Sequence, residues 1–175
     1  GYGAIGKEIA KKAKAFNMHV KAIRRLQKNK SSAKNIDELL PLCYLDYILS
    51  ESDFIIIACP LTLHTKHLID RKKLNLISKK SYLINISRGA IIKEDDLIKY
   101  LKDKKIKGAV LDVFNTEPLD KNSELFNLDN VFLSPHISGN FPEYQDEIMI
   151  QFADHLNRYI LGKALPNRVC KKRLY

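Results

Sequence analysis

Three side chains far apart in the chain each follow an apolar run and stand in turn-forming surroundings. They are Arg88 in "YLINISRG", Glu117 in "GAVLDVFNTEP" and His136 in "VFLSPHISG". A guanidinium presents a fork of donors that holds a carboxylate and polarises the carbonyl beside it. An imidazole hands a proton to a nascent alkoxide, and a carboxylate on its far nitrogen favours the imidazolium. Together these groups can reduce a 2-oxo acid, or oxidise a 2-hydroxy acid, if a cofactor carries the hydride. Singly, each also reads as something plainer: a surface arginine, a loop acid and a satisfied loop histidine.

A hydride carrier has a place to bind at the start of the chain. "GYGAIGKEIA" contains Gly1, Gly3 and Gly6 at G-x-G-x-x-G spacing. An amphipathic pattern (Ile5, Ile9, Ala13, Phe16) and then a strand follow. Gly1 permits the tight turn, Gly3 lets backbone approach a pyrophosphate, and Gly6 lets helix and sheet pack closely. The amides of Ala4 and Ile5 then stand at a helix N-terminus, which favours a diphosphate. The strand that normally precedes such a loop is missing from the reading. Some 20 residues on, where an acid usually binds the ribose diol, the chain has Arg24 and then Arg25. An arginine cannot accept the hydroxyl's bond but pairs with a 2′-phosphate. The expected cofactor is NADP or NAD, with NADP favoured. Two surface arginines beside an NAD site are the alternative.

The elements that must position these groups follow from the apolar runs. Strands are expected at 18–23, 53–59, 81–86, 108–114 and 130–135. The runs at 53–59 and 81–86 are continuously apolar, which suits strands covered on both faces. Helices are expected over 7–16, from about Thr62 to Leu68, over 94–103 and from about 143 to 161. Segment 27–35 reads as a polar surface loop, and 115–130 as an irregular connection with a short helical turn. The alternation predicts an α/β fold with a Rossmann-type, doubly wound, mainly parallel sheet lacking its usual first strand. Ligands bind such sheets beyond the carboxyl ends of the strands, where Arg88, Glu117 and His136 stand.

Composition narrows the function classes. A chain of 175 residues, 45% hydrophobic and 29% charged, has the make-up of an ordinary globular protein. No apolar run approaches the ~20 residues of a membrane span, and nothing at the start resembles a signal peptide. Cys43, Cys59 and Cys170 form no C-x-x-C, which favours reduced thiols and a cytoplasmic setting. The net charge of +10 is scattered among acids, as in "KEDDLIKYLKDKKIKG", so a nucleic-acid partner is not expected. No metal site is expected either. His64 and His67 have helical spacing but no third ligand in their motif.

"GYGAIG", "CPLTLHT", "NISRGAII", "LDVFNTEP" and "SPHISG" occur in order, and together they resemble the D-isomer-specific 2-hydroxyacid dehydrogenases. The resemblance spans essentially the whole chain, including the tail "NRYILGKALPNRV". It implies that Arg88, Glu117 and His136 are the catalytic arginine, glutamate and histidine. It places Ala4 and Ile5 at the pyrophosphate, Arg24 at the adenosine ribose, and Cys59 with Pro60 near the adenine side. Ile86, Ser87 and Arg88 then surround the nicotinamide, Asp112 meets its carboxamide, and His136 to Gly139, including Ser138, complete the contacts. Cys59 also reads as a small buried side chain, Thr65 as either a cofactor contact or a helical-turn residue, and Asp112 as a possible turn cap. Arg24 departs from the family's usual acid.

The resemblance further implies an NAD(P)-binding domain over 1–163, incomplete at its N-terminus, and a tail over 164–175 from an otherwise absent substrate domain. A homodimer is implied for the full-length protein, and this stretch alone is expected to be inactive. The rival expectation is a dinucleotide-sensing, non-catalytic binding protein, or an inactive fragment of the enzyme. Which 2-oxo acid is used does not follow from these residues.

Overall fold

The computed structural model describes residues 1–25 and 27–171. Residues 172–175 of the expected tail lie outside the described residues. The chain divides into one unit ending at His136 and another beginning at Ile137.

The first unit opens with α1 (Ala4–Ala15), which starts directly after Gly3, earlier than the apolar periodicity implies. Three strands follow: β1 (Lys21–Ile23), β2 (Ser31–Ala33) and β3 (Ile36–Leu40). They form one sheet in the order β1-β3-β2, with β1 parallel and β2 antiparallel to β3. Segment 27–35 is therefore not wholly a loop. β2 is fully exposed and polar, as suits an edge strand, and this hides it from hydrophobic patterning. Tyr2, Ala10, Ile36 and Leu39 form a small core between α1 and this sheet.

Next come α2 (Leu45–Glu51), β4 (Phe54–Ile57), α3 (Arg71–Leu74), β5 (Tyr82–Asn85), α4 (Glu94–Lys102), β6 (Gly108–Leu111) and β7 (Val131–Leu133). β4 to β7 make a second sheet in sequence order, parallel throughout. All carboxyl ends of that sheet therefore share one edge. Its core gathers Leu49 of α2, Leu74 of α3, Leu97 and Leu101 of α4, and the strand residues Ile55, Leu83 and Leu111. α4 begins with Glu94, Asp95 and Asp96 and ends with Lys99 and Lys102, charges that complement the helix dipole at both ends.

The reading of β4 and β5 as covered on both faces holds for one face only. Ile55, Ile57 and Leu83 are buried, whereas Phe54, Ile56 and Ile84 are less covered and, together with Ile55, line a cavity of about 680 Å³. β1 contributes Lys21, Ala22 and Ile23 to the same cavity. β1 and β4 are not paired, and this cleft lies between the two sheets.

The stretch from Thr62 to Leu68 is a run of turns rather than a helix. His67 has φ of 53°, which ends any right-handed run. The irregular connection 115–130 does contain a short helical turn, at Glu124–Asn127. The second unit contains α5 (Tyr144–Ile160), within a residue of the expected bounds at each end.

Candidate active site

Arg88, Glu117 and His136 follow β5, β6 and β7, which are hydrogen-bonded neighbours, so topology brings the three to one edge. Each is held by a local device. Asn85, the last residue of β5, is buried and grips the following turn with both ends of its amide. Its Nδ2 donates to the Arg88 carbonyl at 3.0 Å, and the Ser87 amide donates to its Oδ1 at 3.1 Å. The Ser87 hydroxyl donates to the Cys59 carbonyl, tying this turn to the end of β4. Arg88 itself is exposed, with Nη1 donating to the Ser87 carbonyl at 2.6 Å.

Gly89 then passes so close to the next loop that a Cβ there would lie 1.9 Å from the Phe114 carbonyl carbon. No other residue type fits that approach.

Glu117 uses its two oxygens on two donors. The Phe114 amide donates to Oε1 at 3.0 Å, and His136 Nδ1 lies 2.7 Å from Oε2. An ionised carboxylate only accepts, so Nδ1 carries the hydrogen of this bond and Nε2 is the nitrogen left to exchange a proton. The His136 hydrogen bond, then the Phe114 amide, hold the Glu117 carboxyl below the usual glutamate range, against the opposing effect of desolvation. The Arg88 charge adds a smaller lowering.

Asp112 is buried just beyond β6. The Ser134 hydroxyl donates to its Oδ1 at 2.6 Å, and its own amide donates to the Asn85 carbonyl at 3.0 Å. Asp112 thus ties β6 to both neighbours at the edge where Arg88 and His136 stand. Asn85 and Ser134 were not singled out from the sequence. The available signal was a polar residue closing an apolar run two or three positions before a candidate group.

At the glycine loop, a Cβ on Gly1 would lie 2.5 Å from the Ala58 carbonyl oxygen, and one on Gly6 would lie 2.1 Å from the Gly1 carbonyl oxygen. The close contact with the β4 end is therefore made by Gly1, and Gly6 packs on Gly1 rather than on the sheet. A Cβ on Gly3 would meet nothing within 4 Å. Ala4 and Ile5 begin α1, which has no side-chain cap and no acid in its first turn. Backbone amides beside open space, with no competing negative charge, fit a dinucleotide diphosphate. Arg24 is exposed and Arg25 half-buried, directly beyond β1.

Cys59 is half-buried, and burial pushes its thiol above the ordinary value, so it is no ready nucleophile. Pro60 is exposed, and its carbonyl accepts from Thr65 Oγ1 at 2.7 Å. Thr65 Oγ1 also accepts from the Thr62 amide at 2.7 Å. Its hydroxyl braces the turn 60–65, although not as part of a helix. Ile86 is half-buried between Asn85 and Ser87. Ser138 and Gly139, both exposed, belong to the second unit. His64 and His67 lie in the turn segment, so their spacing does not place them on one helix face.

A parallel sheet with these strand-end groups, joined to a glycine loop that opens a helix, is a Rossmann-type dinucleotide-binding fold. The chain belongs to the D-isomer specific 2-hydroxyacid dehydrogenases, whose NAD binding domain matches residues 1–138. It is 40% identical over 172 residues to a glyoxylate reductase of Pyrococcus furiosus, covering 98% of this chain and 50% of that protein. It is 36% identical over 165 residues to a glyoxylate/hydroxypyruvate reductase of Arabidopsis thaliana, covering 94% of this chain and 50% of that protein.

Among solved structures, a D-isomer specific 2-hydroxyacid dehydrogenase of Xanthobacter autotrophicus in complex with NADPH superposes with a TM-score of 0.91. The identity is 27%, over 100% of this chain and 70% of that one. An NADPH-dependent glyoxylate/hydroxypyruvate reductase of Sinorhizobium meliloti, in complex with NADP and sulfate, also gives 0.91 at 25% identity, over 100% and 55%. The chain spans about half the length of the curated relatives it matches.

Proposed function

We propose that the full-length protein is an NAD(P)H-dependent reductase of small 2-oxo acids, with glyoxylate as the first substrate to test. The observation that carries this reading is the 2.7 Å contact between Glu117 Oε2 and His136 Nδ1, formed beside Arg88 at three adjacent strand ends. The names of the relatives support the substrate class, and the NADPH- and NADP-bound structures support the cofactor.

When bound, the nicotinamide supplies or receives the hydride. The protein's own work is positioning and proton transfer. Arg88 holds the substrate carboxylate and polarises the 2-oxo group. His136 gives a proton from Nε2 to the carbonyl oxygen as the carbon is reduced, and takes it back in the reverse direction. Glu117 orients the ring through Nδ1 and stabilises its positive charge. Gly1 to Gly6, with the amides of Ala4 and Ile5, seat the diphosphate. Arg24 and Arg25 face the adenosine ribose and favour a 2′-phosphate. Asp112, Ile86 and Ser87 are the contacts at the nicotinamide end, and Cys59, Pro60 and Thr65 shape the turn near the adenine side.

Residues 1–163 act as the coenzyme domain, and the residues after them join a substrate domain. The isolated chain is inactive because the cleft that excludes water is not closed. The reading also includes a homodimer in the cytoplasm. Exposed Ile148, Met149, Ile150, Phe152, Tyr159 and Ile160 on α5 support a surface that is covered in the assembled protein.

The test is steady-state kinetics of the full-length protein with glyoxylate. His136→Ala is expected to lower kcat by about 10²–10⁴-fold while NADPH still binds. A dinucleotide sensor would show no turnover to lose. The KM for NADPH is expected below that for NADH, and Arg24→Ala should bring the two together. A clear NADH preference in the unmodified protein refutes the assignment of Arg24.

A further inference from the structure

The loop between β6 and Glu117 has no regular secondary structure, yet two carboxylates take successive amides from it. The Phe114 N–H donates to Glu117 Oε1 at 3.0 Å, and the Asn115 N–H donates to Glu94 Oε2 at 3.1 Å. The first bond is local and moves with the loop. The second spans 21 residues and anchors the loop to the first residue of α4. Gly89 presses on the same Phe114–Asn115 peptide from the other end of that segment, where a Cβ would lie 1.9 Å from the Phe114 carbonyl carbon. The stretch that carries Arg88 thus holds the loop that carries Glu117 at two points.

Glu94 has an ordinary task as well, since an acid in the first turn favours the α4 dipole. Asp95 and Asp96 share that task, so it does not depend on Glu94 alone. The Asn115 amide depends on Glu94 in a different way. Asn115 is exposed, and with the acceptor removed its N–H turns to water and the loop loses one of its two holds on the stretch that carries Arg88. A charged acceptor makes the stronger kind of hydrogen bond to such an amide.

We propose that Glu94 is a positioning residue for the Glu117–His136 pair, acting through the Asn115 amide to hold the loop that aims Glu117 at the imidazole. Its effect on turnover rests on the reductase reading above; its effect on the pair does not.

The experiment compares Glu94→Ala with Glu94→Gln in the full-length protein, the second variant keeping an oxygen acceptor without the charge. One readout is the low-field proton NMR signal of the His136 Nδ1–H bond to Glu117. The other is kcat and KM with glyoxylate and NADPH. Glu94→Ala is expected to broaden or abolish the low-field signal and to lower kcat about 10-fold, leaving the KM for NADPH within about twofold, because small misplacements of catalytic groups are costly. Glu94→Gln is expected to keep both the signal and kcat near the unmodified values. The proposal is overturned if Glu94→Ala retains the signal, or if Glu94→Gln loses it equally, since the charge at the helix start and not the bond to Asn115 would then be responsible. If no 2-oxo acid is turned over, the NMR comparison still decides the proposal and only the reductase reading falls.

Discussion

Glu117 is bound at both oxygens, and this gives its ionisation a direction. Bonds from His136 and the Phe114 amide favour the carboxylate, so the folded-state value lies below the ordinary ~4.3 of glutamate. The sign follows from that depression. The Glu117–His136 contact is fully present above the ordinary glutamate range and is lost as pH falls through the lower, folded-state value. Carboxyl-carbon NMR of Glu117 should therefore show a midpoint below the ordinary range, returning toward it in His136→Ala. A midpoint above the ordinary range would show that the bond is not made. Arg88, Glu117 and His136 stood out as candidates one by one because each stands just past an apolar run among turn-forming residues. Asn85 and Ser134 were not, because a buried polar residue that bonds backbone or a neighbouring carboxylate looks like the plain end of a strand.

Among the elements, the Gly89 crossing carries the sharpest expectation. Gly89→Ala puts a methyl group into the Phe114–Asn115 peptide, and backbone on both sides has to shift. A loss of about 1–3 kcal/mol is expected from overpacking, measured by urea unfolding. Kinetics should show a fall in kcat too, because the same shift separates Arg88 from Glu117. The strands of the second sheet were legible as apolar runs, and α4 from its acidic start and basic end. The pair β2 and β3 was not singled out, and β2 has no buried face to pattern. The segment from Thr62 to Leu68 misled, since Thr62 and Thr65 bond each other and Thr65 bonds the Pro60 carbonyl in a turn instead of a helix. The same side chains serve either purpose, and only the backbone path tells which.

At the scale of the whole molecule, the cleft between β1 and β4 is the site of a further prediction. Its walls include Ala22, Ile23, Phe54, Ile55 and Ile56, so two unpaired strand edges face an apolar cavity. Extending the chain before Gly1 with about five β-branched apolar residues should let one strand pair with both edges. Each added residue whose side chain is buried gains about 1.5–3 kcal/mol against ~1–2 kcal/mol of backbone entropy, a small margin per residue. A rise in Tm of several degrees is expected by calorimetry, with a Gly-Ser extension of equal length as control. Equal Tm values for the two extensions would show that the cleft does not accept a strand.

By itself, the sequence determined which groups the protein has for chemistry: a glycine loop opening a helix, and a guanidinium, a carboxylate and an imidazole each placed after a strand-length apolar run. Those are properties of short stretches, set by local patterning and turn chemistry. Tertiary structure alone decided that β5, β6 and β7 lie side by side, that Asn85 and Ser134 fasten the candidate groups, and that Glu94 reaches across to Asn115. Strand order and such long-range bonds depend on how segments pack together, and no single segment carries that information.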